Sequence, residues 1–232
     1  MSWNGKLDVL VIGGGMFCED CVLPTLFQHR RLGHVNTITV ATRRAATISK
    51  LRATFPEEHF RGAPNPAEHD PQQSCPDTYK RELETLGPHG VVYVTTPDDL
   101  HTDMVLESIE AGHDVVCMKP LCLKVDEAWR IIERAEQLGA YVYTEYHKRR
   151  DRALRALRHR YRNGDLGEAL YGHAWIEEPK YMPLDKFRRW AERSSPFEYI
   201  GTHYVDAFHY VTGLEPVRVT AFGQKKYLPQ QG

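Results

Sequence analysis

Leu7-Asp8-Val9-Leu10-Val11-Ile12-Gly13-Gly14-Gly15-Met16-Phe17-Cys18 reads as a buried strand, a glycine turn and the opening of a helix. Residues 7–12 are mostly β-branched or apolar and lack polar alternation, as in a strand covered on both faces of a parallel sheet. In the spacing G-x-G-x-x-(small), Gly13 makes the tight turn and Gly15 lets the backbone approach a pyrophosphate. Cys18 stands at the close strand–helix contact where a third glycine is usual. The helix start, with Met16 and Phe17, offers N–H groups and a partial positive charge to phosphates. A purely structural turn is the competing reading of a lone glycine run. The strand–turn–helix context favours dinucleotide binding.

Working outward, strand signals at 37–41, 91–94, 114–118 and 140–144 alternate with helical stretches at 18–30, 45–54 and 98–111. A further helix carries Val125, Ala128, Trp129 and Ile132 at i, i+3, i+4 and i+7. This alternation predicts an α/β fold with a doubly wound parallel Rossmann sheet over residues 1–146. Residues 55–77 hold five of the chain's 14 prolines and few apolar side chains, so they are expected as a surface connection where a third strand would normally lie. From 147 onward the texture changes. An Arg-rich helix at 151–162 carries an apolar stripe of Leu154, Leu157 and Tyr161, and its arginines read as a solvated face. Strand signals at 169–176 and 217–222 flank a helix at 196–212. These predict the start of a second, α+β domain over 147–232 that is expected to be incomplete.

The 232 residues carry 30 Lys plus Arg against 31 Asp plus Glu, a net charge of −1. That balance argues against a nucleic-acid or anionic-membrane binder. Hydrophobic residues at 41% and charged residues at 26% suit a globular chain rather than a disordered one. No apolar run approaches bilayer length, and the N-terminus has no signal-peptide build. Five cysteines do not form a secreted disulfide framework, so a cytoplasmic location is expected. Cys18-Glu19-Asp20-Cys21 spells C-x-x-C without a second pair, so no metal is expected. A redox role stays open, since a helix start lowers a thiol pKa.

The end of the second strand bears on the cofactor. Val40-Ala41-Thr42-Arg43-Arg44 has no Asp or Glu for a ribose 2′-hydroxyl, and Thr42 stands near the acidic position. Arg43 can stack on adenine and pair with a 2′-phosphate, with Arg44 as a second cation. NADP is therefore expected ahead of NAD. Ordinary surface arginines at a helix start are the other reading.

Two motifs lie downstream at strand ends: Thr95-Thr96-Pro97-Asp98-Asp99-Leu100-His101 and Cys117-Met118-Lys119-Pro120-Leu121, separated by a segment ending Glu110-Ala111-Gly112-His113-Asp114-Val115-Val116. Together with the glycine turn, this arrangement resembles the Gfo/Idh/MocA family of NAD(P)-dependent sugar and cyclitol oxidoreductases over residues 7–222. The resemblance implies that Thr95, Thr96, Pro97, His101, Met118 and Lys119 border the cofactor, and that Lys119 touches both substrate and nicotinamide ribose. Met118 replaces the glutamate of the family's E-K-P motif. Arg149 matches a substrate-side arginine, followed here by Arg150 instead of the usual Phe. The family's Asp–His acid/base pair corresponds to Tyr199 and His203, with Tyr standing where Asp is expected. Trp175, His147 and His209 border the implied substrate pocket. Spacings of four and seven put Tyr199, His203 and Asp206 on one helical face. The resemblance implies a sugar, polyol or cyclitol substrate, an open, mainly antiparallel sheet in the second domain, and a homo-oligomer at full length. A non-catalytic dinucleotide sensor or transcriptional regulator is the alternative, kept open by Met118 and Tyr199.

Overall fold

A computed structural model describes residues 5–88, 90–188 and 191–224. The chain divides into two compact units at Glu145/Tyr146. The first is a six-stranded parallel sheet in the order β3-β2-β1-β4-β5-β6. Its strands are β1 (Leu7–Ile12), β2 (Val35–Ala41), β3 (Arg61–Ala63), β4 (Gly90–Val94), β5 (Asp114–Met118) and β6 (Val142–Glu145). The crossovers are α1 (Leu23–Arg31), entered through a wide turn at Cys18–Val22, then α2 (Ala45–Thr54), α3 (Thr78–Thr85), α4 (His101–Glu110) and α5 (Val125–Leu138).

Alternation along β1 explains the two-sided core. Val9 and Val11 join Val22, Leu23, Phe27, Ile48 and Leu51 on one face. Leu10 and Ile12 join Leu83, Val92, Val105, Ile109 and Ile131 on the other. Successive side chains of a strand point to opposite faces, so a strand buried twice must be apolar throughout. Each fully buried aliphatic side chain contributes about 1.5–3 kcal/mol relative to exposure.

The segment 55–77 departs from expectation. It contains a short third strand, β3, pairing with β2 through Thr39↔Arg61, Val40↔Gly62 and Ala41↔Ala63. Three residues, one of them glycine, give no apolar run to read. Gly62 is required there because an added Cβ would lie 2.2 Å from Ile48 of α2. The helix α3 that follows had a legible signal in Tyr79 and Leu83, which are spaced i, i+4 and buried.

The second unit contains α6 (Arg152–Arg162) and α7 (Thr202–Thr212), with wide turns at Met182–Lys186 and Phe197–Gly201. Asp151 caps α6 by accepting hydrogen bonds from the Ala153 and Leu154 amides at 2.8 and 3.3 Å. Arg158 is not on a free face: its Nε donates to the Tyr210 carbonyl at 3.1 Å, and its guanidinium lies 4.4 Å from the Tyr210 ring centre. The strands expected at 169–176 and 217–222 carry no ladder pairing among the described residues. A strand forms only against a neighbour that takes its N–H and C=O groups. Without one here, Leu170, Tyr171, Val217 and Phe222 stay exposed, and the expected antiparallel sheet is not formed among these residues.

Candidate functional site

The strand order reverses between β1 and β4, and the loops at the C-terminal ends of these strands carry the motifs. Backbone bonds tie those ends together. Gly13 N–H donates to the Ala41 carbonyl at 2.8 Å, Thr95 N–H to Ile12 at 2.8 Å, and Thr42 N–H to Ala63 at 2.7 Å. The Thr95 hydroxyl donates to the Ile12 carbonyl at 3.0 Å. Gly13 has φ +105°, and a Cβ there would lie 2.8–2.9 Å from Thr95 side-chain and backbone atoms. Only glycine tolerates both the dihedral and the approach. A Cβ on Gly15 meets nothing within 4 Å, and Gly15 and Met16 are both exposed. This open mouth above a helix start fits a pyrophosphate. Phe17 packs on the core edge beneath it. The acidic Glu19 of the first turn is drawn away into an ion pair with Lys50 and accepts from the Thr54 hydroxyl at 3.0 Å.

Cys18 is buried, and burial pushes its thiol up to about 12, with a smaller raise from Glu19 and an opposing hydrogen bond with Thr95. Burial also raises Cys21. Desolvation therefore outweighs the helix start, which argues against a low-pKa redox thiol in the C-x-x-C pair. All five cysteines are free thiols. A disulfide-exchange reagent added to native protein at pH 7 should leave Cys18 and Cys117 unmodified, and both should react once the chain is denatured. Rapid native labelling of Cys18, read by mass spectrometry, would contradict this burial.

Beyond β2, Thr42 is buried, and its hydroxyl donates to the Arg44 carbonyl at 2.8 Å. Arg43 is exposed and donates from Nε to the Ser74 hydroxyl at 2.7 Å, while the Cys75 amide donates to the Arg43 carbonyl at 2.8 Å. Arg44 Nε donates to the Gln72 carbonyl at 3.2 Å. Gln72, Ser74 and Cys75 thus brace the two arginines, a role the proline-rich sequence did not reveal. At the ends of β4 and β5, the Thr96 hydroxyl reaches Met104 Sδ at 3.4 Å, and Thr96 and Pro97 are half-buried. Met118 turns into the core with Val9 and Val11, so a methionine satisfies the position where a glutamate was implied. Lys119 follows it, half-buried, and the Lys119–Pro120 bond is cis. His101 is only 1% exposed.

In the second unit, a short turn at His147–Arg150 lies against α7. The His203 ring is buried, with its centre 4.6 Å from that of His147 and 6.0 Å from that of Tyr146, both edge-on. One helical turn on, Arg149 grips Asp206: Nε lies 2.9 and 3.1 Å from the two carboxylate oxygens, and Nη2 also bonds Oδ1. The guanidinium is flanked by the rings of Tyr146 and Tyr210 at 5.4 and 5.6 Å. Arg149, implied as a substrate contact, is therefore engaged in an ion pair with the helix that carries His203. Tyr199 lies in the wide turn ahead of α7, its ring tilted 60° to that of Phe187 with the centres 4.6 Å apart. Both line a cavity of about 430 Å³ with Ile176, Pro183 and Ile200. Trp175 is 70% exposed beside His173, and His209 Nδ1 faces the Leu214 carbonyl at 3.1 Å.

Among the described residues no helix is long and apolar enough to cross a membrane. Nor does any group of three His, Cys, Asp or Glu gather there to hold a metal ion.

A parallel sheet of this order, with a glycine turn at its reversal point, defines a dinucleotide-binding Rossmann domain. Residues 7–146 match the model of the Gfo/Idh/MocA oxidoreductase family, NAD-binding Rossmann fold, and residues 154–231 match the family's C-terminal domain. The chain belongs to the Gfo/Idh/MocA family. It is 25% identical over 143 residues to the 1,5-anhydro-D-fructose reductase of Ensifer adhaerens, covering 61% of this chain and 43% of that protein. It is 27% identical over 132 residues to the myo-inositol 2-dehydrogenase of Thermotoga maritima, covering 57% and 39%. The crystal structure of myo-inositol 2-dehydrogenase from Lactobacillus plantarum shares the fold at a TM-score of 0.70 and 18% identity, covering 91% of this chain and 58% of that one. The chain therefore spans about two-fifths of the length of these two curated relatives.

Proposed function

We propose that the chain belongs to an NAD(P)-dependent oxidoreductase acting on a CH–OH group of a sugar, polyol or cyclitol. The observation that carries this reading is the pairing of an open glycine turn at Gly13–Gly15 with Lys119 on the end of β5 in the same sheet. The sugar and inositol chemistry named for the relatives supports the substrate class. The bound dinucleotide supplies the hydride acceptor or donor. Gly13 and Gly15 would admit the phosphates, and Thr95, Thr96 and Pro97 would hold the dinucleotide beside them. Lys119 places its ammonium where an alkoxide develops, which lowers the barrier by meeting charge that the alcohol lacks. His203 takes the hydroxyl proton, as an imidazole does near neutral pH. Tyr199 relays that proton or walls the pocket, with Trp175 at its border. Arg149 serves by holding α7 through Asp206.

NADP is proposed ahead of NAD because the braced Arg43, aided by Arg44, suits a 2′-phosphate. Fluorescence titration should show tighter binding of NADPH than of NADH, and Arg43→Ala should narrow the gap by about 1–3 kcal/mol. Equal affinities in the unaltered protein would refute the preference. Free thiols support a cytoplasmic location, and the exposed apolar residues at 217–222 support a homo-oligomer. A sensor without turnover is the second reading, favoured by Met118 lying in the core where an acidic partner was implied.

A further inference from the structure

The imidazole of His101 is buried at the first turn of α4 and lies between two backbone carbonyls. Its Nε2 is 2.9 Å from the carbonyl oxygen of Thr96, in the loop after β4. Its Nδ1 is 2.7 Å from the carbonyl oxygen of Pro120, in the loop after β5. Those loops carry Thr96, Pro97 and the lysine Lys119. We infer that His101 is a positioning residue, a clasp that fastens the β5 loop to the β4 loop and so sets where Lys119 stands. It acts through Lys119 and touches no ligand, although the sequence motif implied a cofactor contact.

Three features support the clasp. First, a ring carrying both of its protons donates to the two protein carbonyls and keeps no polar atom for a dinucleotide. Second, β4 and β5 pair only as far as Val94↔Cys117, so beyond that register the ladder no longer joins the two chains. His101 supplies a bridge past the last ladder pair, where Lys119 leaves the sheet. Third, a lysine side chain has four rotatable carbons, and its ammonium can be aimed only if its backbone is fixed. A displacement of about 1 Å in such a group costs on the order of 10²-fold in rate. Met118 anchors one side of Lys119 in the core, and the Pro120 carbonyl held by His101 anchors the other.

The inference rests on the oxidoreductase reading for its catalytic consequence, but the clasp itself is testable without turnover. In the unaltered protein, NMR should show both ring N–H protons of His101 exchanging slowly with solvent. A rapidly exchanging or undetectable N–H contradicts the clasp. Hydrogen exchange by mass spectrometry should then show faster exchange in His101→Leu, by about 10-fold or more, confined to residues 95–98 and 118–122. His101→Gln, which keeps a donor should leucine prevent folding, should show a smaller local rise. Uniform acceleration across the sheet, or none, overturns the inference.

Kinetics supply the second arm. His101→Leu alone should lower kcat by about 10–100-fold. In a Lys119→Ala background the same change should add less than about 3-fold, because residues acting as one unit are not additive. Full additivity would reduce His101 to general packing and overturn its action through Lys119. If no dinucleotide binds the unaltered protein, the oxidoreductase reading fails, while the exchange measurements still decide the clasp.

Discussion

Lys119→Ala should lower the turnover of an accepted polyol by about 10²–10³-fold, while NADPH affinity stays within about 3-fold of the unaltered protein. The asymmetry follows from where the charge develops. A neutral alcohol gives the ammonium little to bind, whereas the forming alkoxide gives it a full partner in a half-buried site. The effect should therefore fall on kcat and kcat/KM together. Lys119→Arg should not restore the rate, since a planar guanidinium spreads its charge and directs its donors in a fixed fork. Initial rates with a sugar and polyol panel, alongside NADPH titration by fluorescence, separate the two effects. Unchanged turnover in Lys119→Ala would remove the electrostatic role. Cofactor binding without turnover on any substrate, but sensitive to an added sugar, would favour the sensor.

The second large effect is expected at the glycine turn. Gly13→Ala requires a side chain at φ +105° with its Cβ 2.9 Å from the Thr95 backbone. The dihedral and the contact together should destabilise the first unit by on the order of 3 kcal/mol. A Tm fall of roughly 10 °C by differential scanning calorimetry corresponds to that loss. The Gly13 amide also bonds the Ala41 carbonyl, so the ends of β1 and β2 loosen together and dinucleotide binding is lost as well. A Tm within about 2 °C of the unaltered protein would contradict the close packing of Gly13 on Thr95.

Much of the first unit was legible because its physics is local and repetitive. Residues 7–12 had to be apolar on both faces, whereas the stripe read at Val125, Trp129 and Ile132 lies exposed and α5 buries Ile131 and Ala135 instead. What escaped depended on partners distant in sequence. β3 is three residues held by pairing to β2, and Gly62 is explained by Ile48, fourteen residues earlier. Ser74 and Gln72 hold Arg43 and Arg44 across about thirty residues, and no motif marks them. In the second unit the strand-like segments failed for the converse reason, since propensity without a neighbour makes no sheet. His101 and Arg149 were found by motif, but their partners Thr96, Pro120 and Asp206 changed what they do. The C-x-x-C pair shows burial overruling a local electrostatic rule.

The central claim is that the turn at Gly13–Gly15 holds a dinucleotide, and Gly15→Ala tests it most directly. Its Cβ enters open space and should leave Tm within about 2 °C, yet it projects into the mouth that the pyrophosphate needs. Fluorescence titration of NADPH and NADH should show binding to the unaltered protein and at least about 10-fold weaker binding to Gly15→Ala, a loss near 1.4 kcal/mol. Equal affinity in the two proteins, or no binding to either, would contradict it.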